Sequence, residues 1–268
     1  LELFYEVKSN LTKASLAAMR AAGVTWIQPG IESLSNLTLQ LMGKGTTALQ
    51  NLQLLRWCAE LGVRPSWNIL YGFPGEDPAE FEQTAQMIPH LFHLSAPCVV
   101  LPFRMDRFSP YYNEAASHGL TNVRPYWSYR FAYPGLPEKE LADHAYFFEF
   151  DYEDGRDPRV DAEPLVRASA AWHKAQKSGA ALVVLGEAGQ RCVYDTRAGN
   201  PEVAPLTESE ARLLEATDSA VGIDRLLSTQ PDLADALSSF RRKRWVYEEN
   251  GRVVRLVTIR EDGDAACL

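Results

Sequence analysis

Four short apolar runs, LELFYEV, VTWIQP, RPSWNILY and PCVVLPFRM, alternate with three segments of helical periodicity over the first 120 residues. This alternation constrains the fold more than any other feature of the chain. A helix is expected over 12–22, where Leu16, Met19 and Arg20 take helical spacing and Gly23 is the stop. A second is expected over 48–61, with Leu52, Leu55, Cys58 and Ala59 on one stripe and Gly62 as the stop. A third runs over 78–91, with Pro78 inside its first turn. Strands joined by helices of this length must pair in parallel through right-handed crossovers. The fold class is therefore α/β, either an open doubly wound sheet or part of a (β/α) barrel. In both, chemistry gathers at the strand C-terminal ends, and here those ends carry QPGIES and YGFPGED.

The rest of the chain changes texture twice. Residues 121–204 read as a connecting region, rich in Tyr and Trp, with the turn-forming DYEDGRDPR, a helix AEPLVRASAAWHKAQ and a β-hairpin whose strands join at Gly189. Residues 205–268 open on a capping box, Thr207 with Glu210 three positions on. Two further helices follow, then two strands around Asn250 and Gly251, which is the order of a winged helix and is expected to form its own small domain. The domain reading is thus 1–120, 121–204 and 205–268. Leu1 already lies inside a strand pattern, so the chain reads as the continuation of a longer polypeptide.

Hydrophobic residues at 46% and charged residues at 23% exclude disordered and low-complexity classes. With 27 Lys and Arg against 35 Asp and Glu, the net charge of −8 argues against a surface that tracks phosphate backbones. Cys58, Cys98, Cys192 and Cys267 are scattered without CxxC spacing and read as reduced thiols of a cytoplasmic protein, Cys98 as a small buried hydrophobe. No apolar run reaches a membrane span, and no signal peptide is evident.

Two segments carry chemistry. In GIES, at 30–33, Gly30 allows close backbone approach, Glu32 can accept from ribose hydroxyls and Ser33 adds a short donor or acceptor. The bland alternative is a turn with a solvated acid and a helix cap. In NILYGFPGE, at 68–76, Gly72 and Gly75 free main-chain groups to pair with a flat base edge, while Tyr71 or Phe73 can cover its face. Its alternative is a Pro and Gly turn before a helix.

These two segments, with LQLMGKGTT between them at 39–47, resemble the radical S-adenosylmethionine enzymes, and within them the cobalamin-linked branch. With LADHAYFFEFDY, DTRAG and LTESEARLLEA, nearly the whole chain resembles the C-terminal part of the ribosomal peptide maturation radical S-adenosylmethionine proteins. The resemblance implies a partial (β/α) barrel entered near its third strand, S-adenosylmethionine as cofactor, a [4Fe-4S] cluster, and cobalamin as a further candidate. The substrate it implies is a ribosomally made precursor peptide, with C-methylation as the candidate outcome.

By the same resemblance, Glu32 and Ser33 match the segment that meets the ribose and methionine portion of S-adenosylmethionine, with Gln28 at the same strand end. Leu70, Tyr71, Gly72 and Phe73 match the segment beside the adenine. Val100, Leu101 and Pro102 match the next strand that approaches it, and Lys8 and Asn10 are candidates to face the same cavity. The chain departs from the family at one point: none of its cysteines has the CxxxCxxC spacing that holds the cluster, so the ligands are expected upstream of Leu1 and no metal site is expected here.

Other polar residues read blandly: His144 and His173 as structural or solvated, Arg104, Asp106 and Arg107 as candidates for substrate or for a surface ion pair. The run RRKR at 241–244 would suit phosphates in an isolated winged helix, but Asp224, Asp232 and Asp235 on the neighbouring helices disfavour nucleic acid. The rival reading is a non-catalytic protein whose degenerate barrel and winged helix bind a peptide or nucleic acid.

Overall fold

A computed structural model describes residues 3–187 and 189–259; Leu1, Glu2, Ala188 and Cys267 of the sequence reading lie outside the described residues. Strands β1 (Leu3–Glu6), β2 (Val24–Gln28) and β3 (Arg64–Pro65) pair in parallel in that order. Strands β4 (Asn68–Tyr71) and β5 (Val99–Pro102) form a second parallel pair. The Leu70 N–H donates to the Glu32 carbonyl at 2.9 Å and the Asn68 N–H to that of Ile31 at 3.3 Å, which carries the hydrogen bonding from one pair to the next. Strand order follows chain order with no reversal. A doubly wound sheet requires a reversal, so the described strands have the sequential order of a barrel wall.

The helices between them begin and end where local chemistry dictates. In α1 (Lys13–Ala21) the Thr12 side chain accepts from the Ser15 amide, and in α2 (Asn36–Leu41) Ser35 accepts from Thr38. Helix α3 (Ala48–Leu61) starts on a capping box of Thr47 and Gln50 and stops at Gly62, which takes φ 63°. Helix α4 (Pro78–Met87) is capped by Asp77 and tightens into a 3₁₀ turn over Ile88–Leu91. Two apolar runs that read as single strands are each divided: Ser66 and Trp67 separate β3 from β4, and PCVVLPFRM breaks after Pro102.

The second piece of that run, β6 (Met105–Asp106), leaves the parallel sheet for an antiparallel one of order β6-β8-β7, with β7 (Leu120–Pro125) and β8 (Phe147–Tyr152). Helices α5 (Pro110–Asn113), α6 (Ser128–Ala132) and α7 (Glu138–His144) connect them. The two longer strands escape sequence reading because neither alternates cleanly: β7 is interrupted between Thr121 and Arg124, and β8 carries an aromatic on both faces. Phe73, Phe103, Met105, Leu120, Ala145 and Phe148 form the small core beneath this sheet.

Helices α8 (Pro158–Asp161) and α9 (Glu163–Lys177) lead to the expected hairpin, β9 (Leu182–Leu185) with β10 (Cys192–Asp195). A third strand, β11 (Glu202–Pro205), joins it without a sequence signal. The last 50 or so described positions hold α10 (Glu208–Ala216) behind the Thr207/Glu210 capping box, a short β12 (Val221–Gly222), α11 (Ile223–Thr229), α12 (Ala234–Lys243), and the hairpin β13 (Val246–Glu249) with β14 (Arg252–Arg255). Their sheet order is β12-β14-β13, which leaves β13 at an edge.

One hydrophobic core runs from Leu16 and Ile27 through Leu52 and Leu55 of α3 to Trp172, Leu213, Phe240 and Val257. The C-terminal elements are also tied to α3 by charge. Arg56, fully buried, pairs with Glu60 at 2.9 Å and with Asp218 at 3.1 Å, while Arg255 reaches the same two carboxylates, each at 2.6 Å. Burial and the neighbouring Arg255 both lower the Arg56 pKa. No helix among the described residues is long and apolar enough to cross a membrane.

Candidate functional site: the strand-end rim

Register decides which side chains share a face. Phe4 lies opposite Trp26 and Glu6 opposite Gln28; Trp26 lies opposite Arg64. Farther along, Asn68 opposes Val99 and Leu70 opposes Leu101. Because side chains alternate along a strand, these residues occupy the face turned away from the helices. Ile27, Ile69 and Tyr71 occupy the other face and are buried in the large core. The Arg64 guanidinium sits 4.5 Å over the Trp26 ring, which is 4.6 Å from Phe4.

At the end of β2 the polar residues of GIES are placed by hydrogen bonds. Gly30 has φ 60°, close enough to the preceding strand that an added Cβ would lie 3.8 Å from the Val7 carbonyl. Ser33 is buried; its Oγ accepts from the Ser35 amide at 3.0 Å, and its carbonyl accepts from the Asn51 side chain at 3.0 Å. Glu32 is half-exposed and pairs with Lys44 at 2.7 Å. Gln28, Lys8 and Asn10 are exposed.

At the end of β4, Leu70 stands on the face away from the large core, half-buried against the small one, while Tyr71 turns into the large core, edge-on to Phe81, where burial raises its phenol pKa. Gly72 takes φ 87°. Its N–H donates to Glu76 Oε2 at 2.5 Å, the Phe73 N–H donates to the same oxygen at 2.9 Å, and Thr38 Oγ1 donates to Oε1 at 2.9 Å. Glu76 is buried, and desolvation raises its carboxyl pKa even though these three bonds favour the charged form. The Gly72 carbonyl accepts from the Tyr152 hydroxyl. Phe73 stacks on Phe103 at 4.7 Å in the small core. Both Gly72 main-chain groups thus have partners inside the chain, and the rings of Tyr71 and Phe73 are packed in the two cores.

On β5, Val100 packs on the core, whereas Leu101 is half-exposed and Pro102 exposed. The structure therefore brings Glu32, Leu70 and Leu101 to one rim, the first two joined through backbone and the last two by register. Beyond Leu101 and Pro102 opens a cleft of about 700 Å³ lined also by Arg104, Trp127, Tyr152 and Arg159. Sequence reasoning did not single out Lys44, Asn51, Thr38, Glu76 or Tyr152. The signal for Glu76 was inside NILYGFPGE, and that for Tyr152 closes LADHAYFFEFDY; only tertiary contact shows what they hold.

Arg104 and Asp106 form a surface ion pair at 2.8 Å. Arg107 instead donates to the carbonyls of Ala142 and Ala145. Cys98 is exposed, its sulfur 3.2 Å from Ser66 Oγ, so the expectation of a buried thiol is corrected: position 98 lies just before β5, where the neighbouring Val99 is also at the surface. Cys58 is buried and its thiol pushed up to about 12. Among the described residues, no three His, Cys, Asp or Glu side chains are grouped to hold a metal ion, so they do not fit an iron-sulfur cluster. In the RRKR run, Arg241 pairs with Glu248 and Lys243 with Glu210, which leaves Arg242 and Arg244 as its guanidinium groups without a carboxylate partner among the described residues.

Residues 2–88 match the family model described as the Radical SAM superfamily. The matched stretch runs from β1 into the turn after α4 and includes both GIES and NILYGFPGE. No curated protein matches the chain. Among solved structures, it is similar to the cobalamin-dependent S-adenosylmethionine radical enzyme OxsB with aqua-cobalamin and S-adenosylmethionine bound, at 15% identity and TM-score 0.32, over 91% of this chain and 33% of that one. The same enzyme with aqua-cobalamin bound gives 14% identity, TM-score 0.32 and the same coverage. The chain thus spans about a third of the length of the enzyme it is compared with.

Proposed function

We propose that this chain supplies the S-adenosylmethionine rim and the substrate side of a radical S-adenosylmethionine enzyme that modifies a ribosomally made peptide. The observation that carries the reading is the junction of the two matched motifs: the Glu32 carbonyl accepts from the Leu70 amide, within the stretch that matches the superfamily. The rim suits a nucleoside with a charged tail. Leu70 and Leu101 offer an apolar face to a base, Glu32 and Gln28 offer acceptors to a ribose diol, and Lys44 beside Glu32 offers a cation to a carboxylate. Glu76 and Tyr152 hold the Gly72 turn in place, so the rim needs little reorganisation on binding. S-adenosylmethionine bound there would supply the methyl group or the radical precursor of the superfamily's chemistry. The cluster lies outside the proposal for residues 3–259, and cobalamin enters on the sequence resemblance alone, as methyl carrier for C-methylation.

The C-terminal elements, with their order helix, short strand, two helices and hairpin, support reading 205–259 as winged-helix-like. Pairing of Arg241 and Lys243 with glutamates supports a protein rather than a nucleic-acid partner. Equilibrium dialysis of the chain with labelled S-adenosylmethionine tests the rim. Saturable binding that weakens at least fivefold in Leu101→Glu and in Glu32→Ala is expected. Binding indifferent to both changes would refute the placement.

A further inference from the structure

The cleft of about 700 Å³ beside the rim falls within the roughly 300–1,000 Å³ typical of ligand sites. Its lining comes from three places: the end of β5 with the two residues after it, the paired strands β7 and β8 with Tyr126 and Trp127, and the segment at 155–159 that enters α8. That segment abuts the end of β4, since a Cβ added at Gly72 would lie 3.3 Å from Pro158 Cβ. The cleft therefore starts where the rim stops, with Leu101 common to both.

Four guanidinium groups line this one cleft, although the chain carries a net charge of −8. Three are already engaged. Arg104 pairs with Asp106 at 2.8 Å and lies 3.6 Å over the Phe147 ring, Arg124 pairs with Asp151 at 3.1 Å and with Glu149 at 3.5 Å, and Arg156 pairs with Asp154 at 2.7 Å. Arg159 is exposed, and its guanidinium has no carboxylate partner among the described residues; only its amide meets Asp157, at 3.1 Å.

The same cleft holds an indole open to solvent. Trp127 is 53% exposed, its ring edge-on to Phe131 at 5.5 Å. An exposed indole presents a broad apolar face to a ligand.

We propose that this cleft takes an acidic side chain of the peptide substrate, with its carboxylate on the Arg159 guanidinium and an apolar side chain two positions away on the Trp127 indole. Side chains two apart in an extended segment project on the same side, so both reach into one cleft. A guanidinium meets a carboxylate through two parallel hydrogen bonds. A phosphate dianion fits less well, because the carboxylates of Glu149, Asp151 and Asp157 line the same space and Arg159 supplies a single uncommitted guanidinium among the described residues. The inference rests on the reading that the enzyme acts on a peptide, and it sets the acidic residue close to the one delivered to the rim.

The test is fluorescence anisotropy on the full chain, with labelled, end-capped hexapeptides of alanine that carry phenylalanine at the second position and glutamate, glutamine, lysine or phosphoserine at the fourth. The glutamate probe should bind saturably and about fivefold tighter than the glutamine probe, with lysine weakest and phosphoserine no tighter than glutamate. Arg159→Gln should erase the difference between glutamate and glutamine, and Arg159→Glu should reverse the order of glutamate and lysine, which a merely structural role would not do. Trp127→Ala should weaken the glutamate probe about fivefold, and a probe with serine in place of phenylalanine should be indifferent to that change. Both side chains are exposed, so the variants should unfold at the temperature of the parent chain. Equal binding of the glutamate and glutamine probes, or an order unmoved by Arg159→Glu, would overturn the cleft and leave the peptide reading standing. Phosphoserine bound about tenfold tighter than glutamate would overturn the carboxylate assignment. Binding by none of the probes, in samples whose rim still takes up S-adenosylmethionine on dialysis, would overturn the peptide reading together with the cleft.

Discussion

The Tyr152 hydroxyl, on the antiparallel sheet, donates to the carbonyl of Gly72 at the end of a parallel strand, 80 positions earlier. This bond and the Glu76 carboxylate together occupy both main-chain groups of Gly72. A Cβ added at Gly72 would lie 3.0 Å from the Tyr152 oxygen and 3.3 Å from Pro158 Cβ, in a backbone region that side chains disfavour. Gly72→Ala should therefore cost about 2–3 kcal/mol and Tyr152→Phe about 1–2 kcal/mol, read by urea unfolding. Because removing the hydroxyl relieves part of the clash, the double variant should lose less than the sum; strict additivity would show that the contact is not shared.

Glu76 acts on the same turn from below. Glu76→Ala leaves the amides of Gly72 and Phe73 and the Thr38 hydroxyl without their common acceptor, at a cost of about 2–4 kcal/mol. Hydrogen exchange at residues 72 and 73 should accelerate more than exchange in α3. Uniform acceleration along the chain would indicate global destabilisation and no local role.

The charge cluster joining α3 to the C-terminal elements has a pH signature. Asp218 is pulled down to about 2 by Lys13, Arg56 and Arg255, against the opposing effect of burial and an ordinary value of 3.8. A depressed carboxylate stabilises the fold fully above pH 4, and that contribution disappears as pH falls from 4 to 2. Screening at a partly exposed group limits it to about 1–2 kcal/mol. In Asp218→Asn the acid limb of the stability profile should flatten between pH 4 and 2; an unchanged limb would count against the pairing. Arg56→Met should cost more, about 3–5 kcal/mol, because it removes one of the two buried guanidinium groups that share Glu60 and Asp218.

Thiol accessibility separates the cysteines. Cys98 is exposed, while Cys58 is buried and pushed up to about 12. Brief alkylation at pH 8 followed by peptide mapping should label Cys98 and spare Cys58, since only accessible thiolate reacts at an appreciable rate. Prompt labelling of Cys58 in the folded chain would contradict its place in the core.

Much of the local structure was legible because it is decided locally. The Thr207/Glu210 capping box, Gly62 at a helix end and the Asn250, Gly251 turn involve groups a few positions apart, so spacing alone reports them. The alternation of strand and helix likewise requires parallel pairing. GIES and NILYGFPGE could be placed at strand ends for the same reason.

What spacing could not reach is direction and long-range partnership. Tyr71 and Phe73 stand in the motif as aromatics fit to cover a base, yet one packs on Phe81 and the other on Phe103, because each core had room that only the assembled helices and the second sheet create. β7, β8 and β11 exist because neighbours supply their hydrogen bonds, and their own residues carry little periodicity. The sequence by itself determined the α/β order, the helix limits and the two strand-end motifs, all set by bonds within a turn or by the period of a single element. Only the tertiary structure decided that Glu76 and Tyr152 lock Gly72, that Arg56 and Arg255 share Glu60 and Asp218, and that β13 keeps an open edge beside α4. Those relationships join residues dozens of positions apart, and burial and chain closure select them.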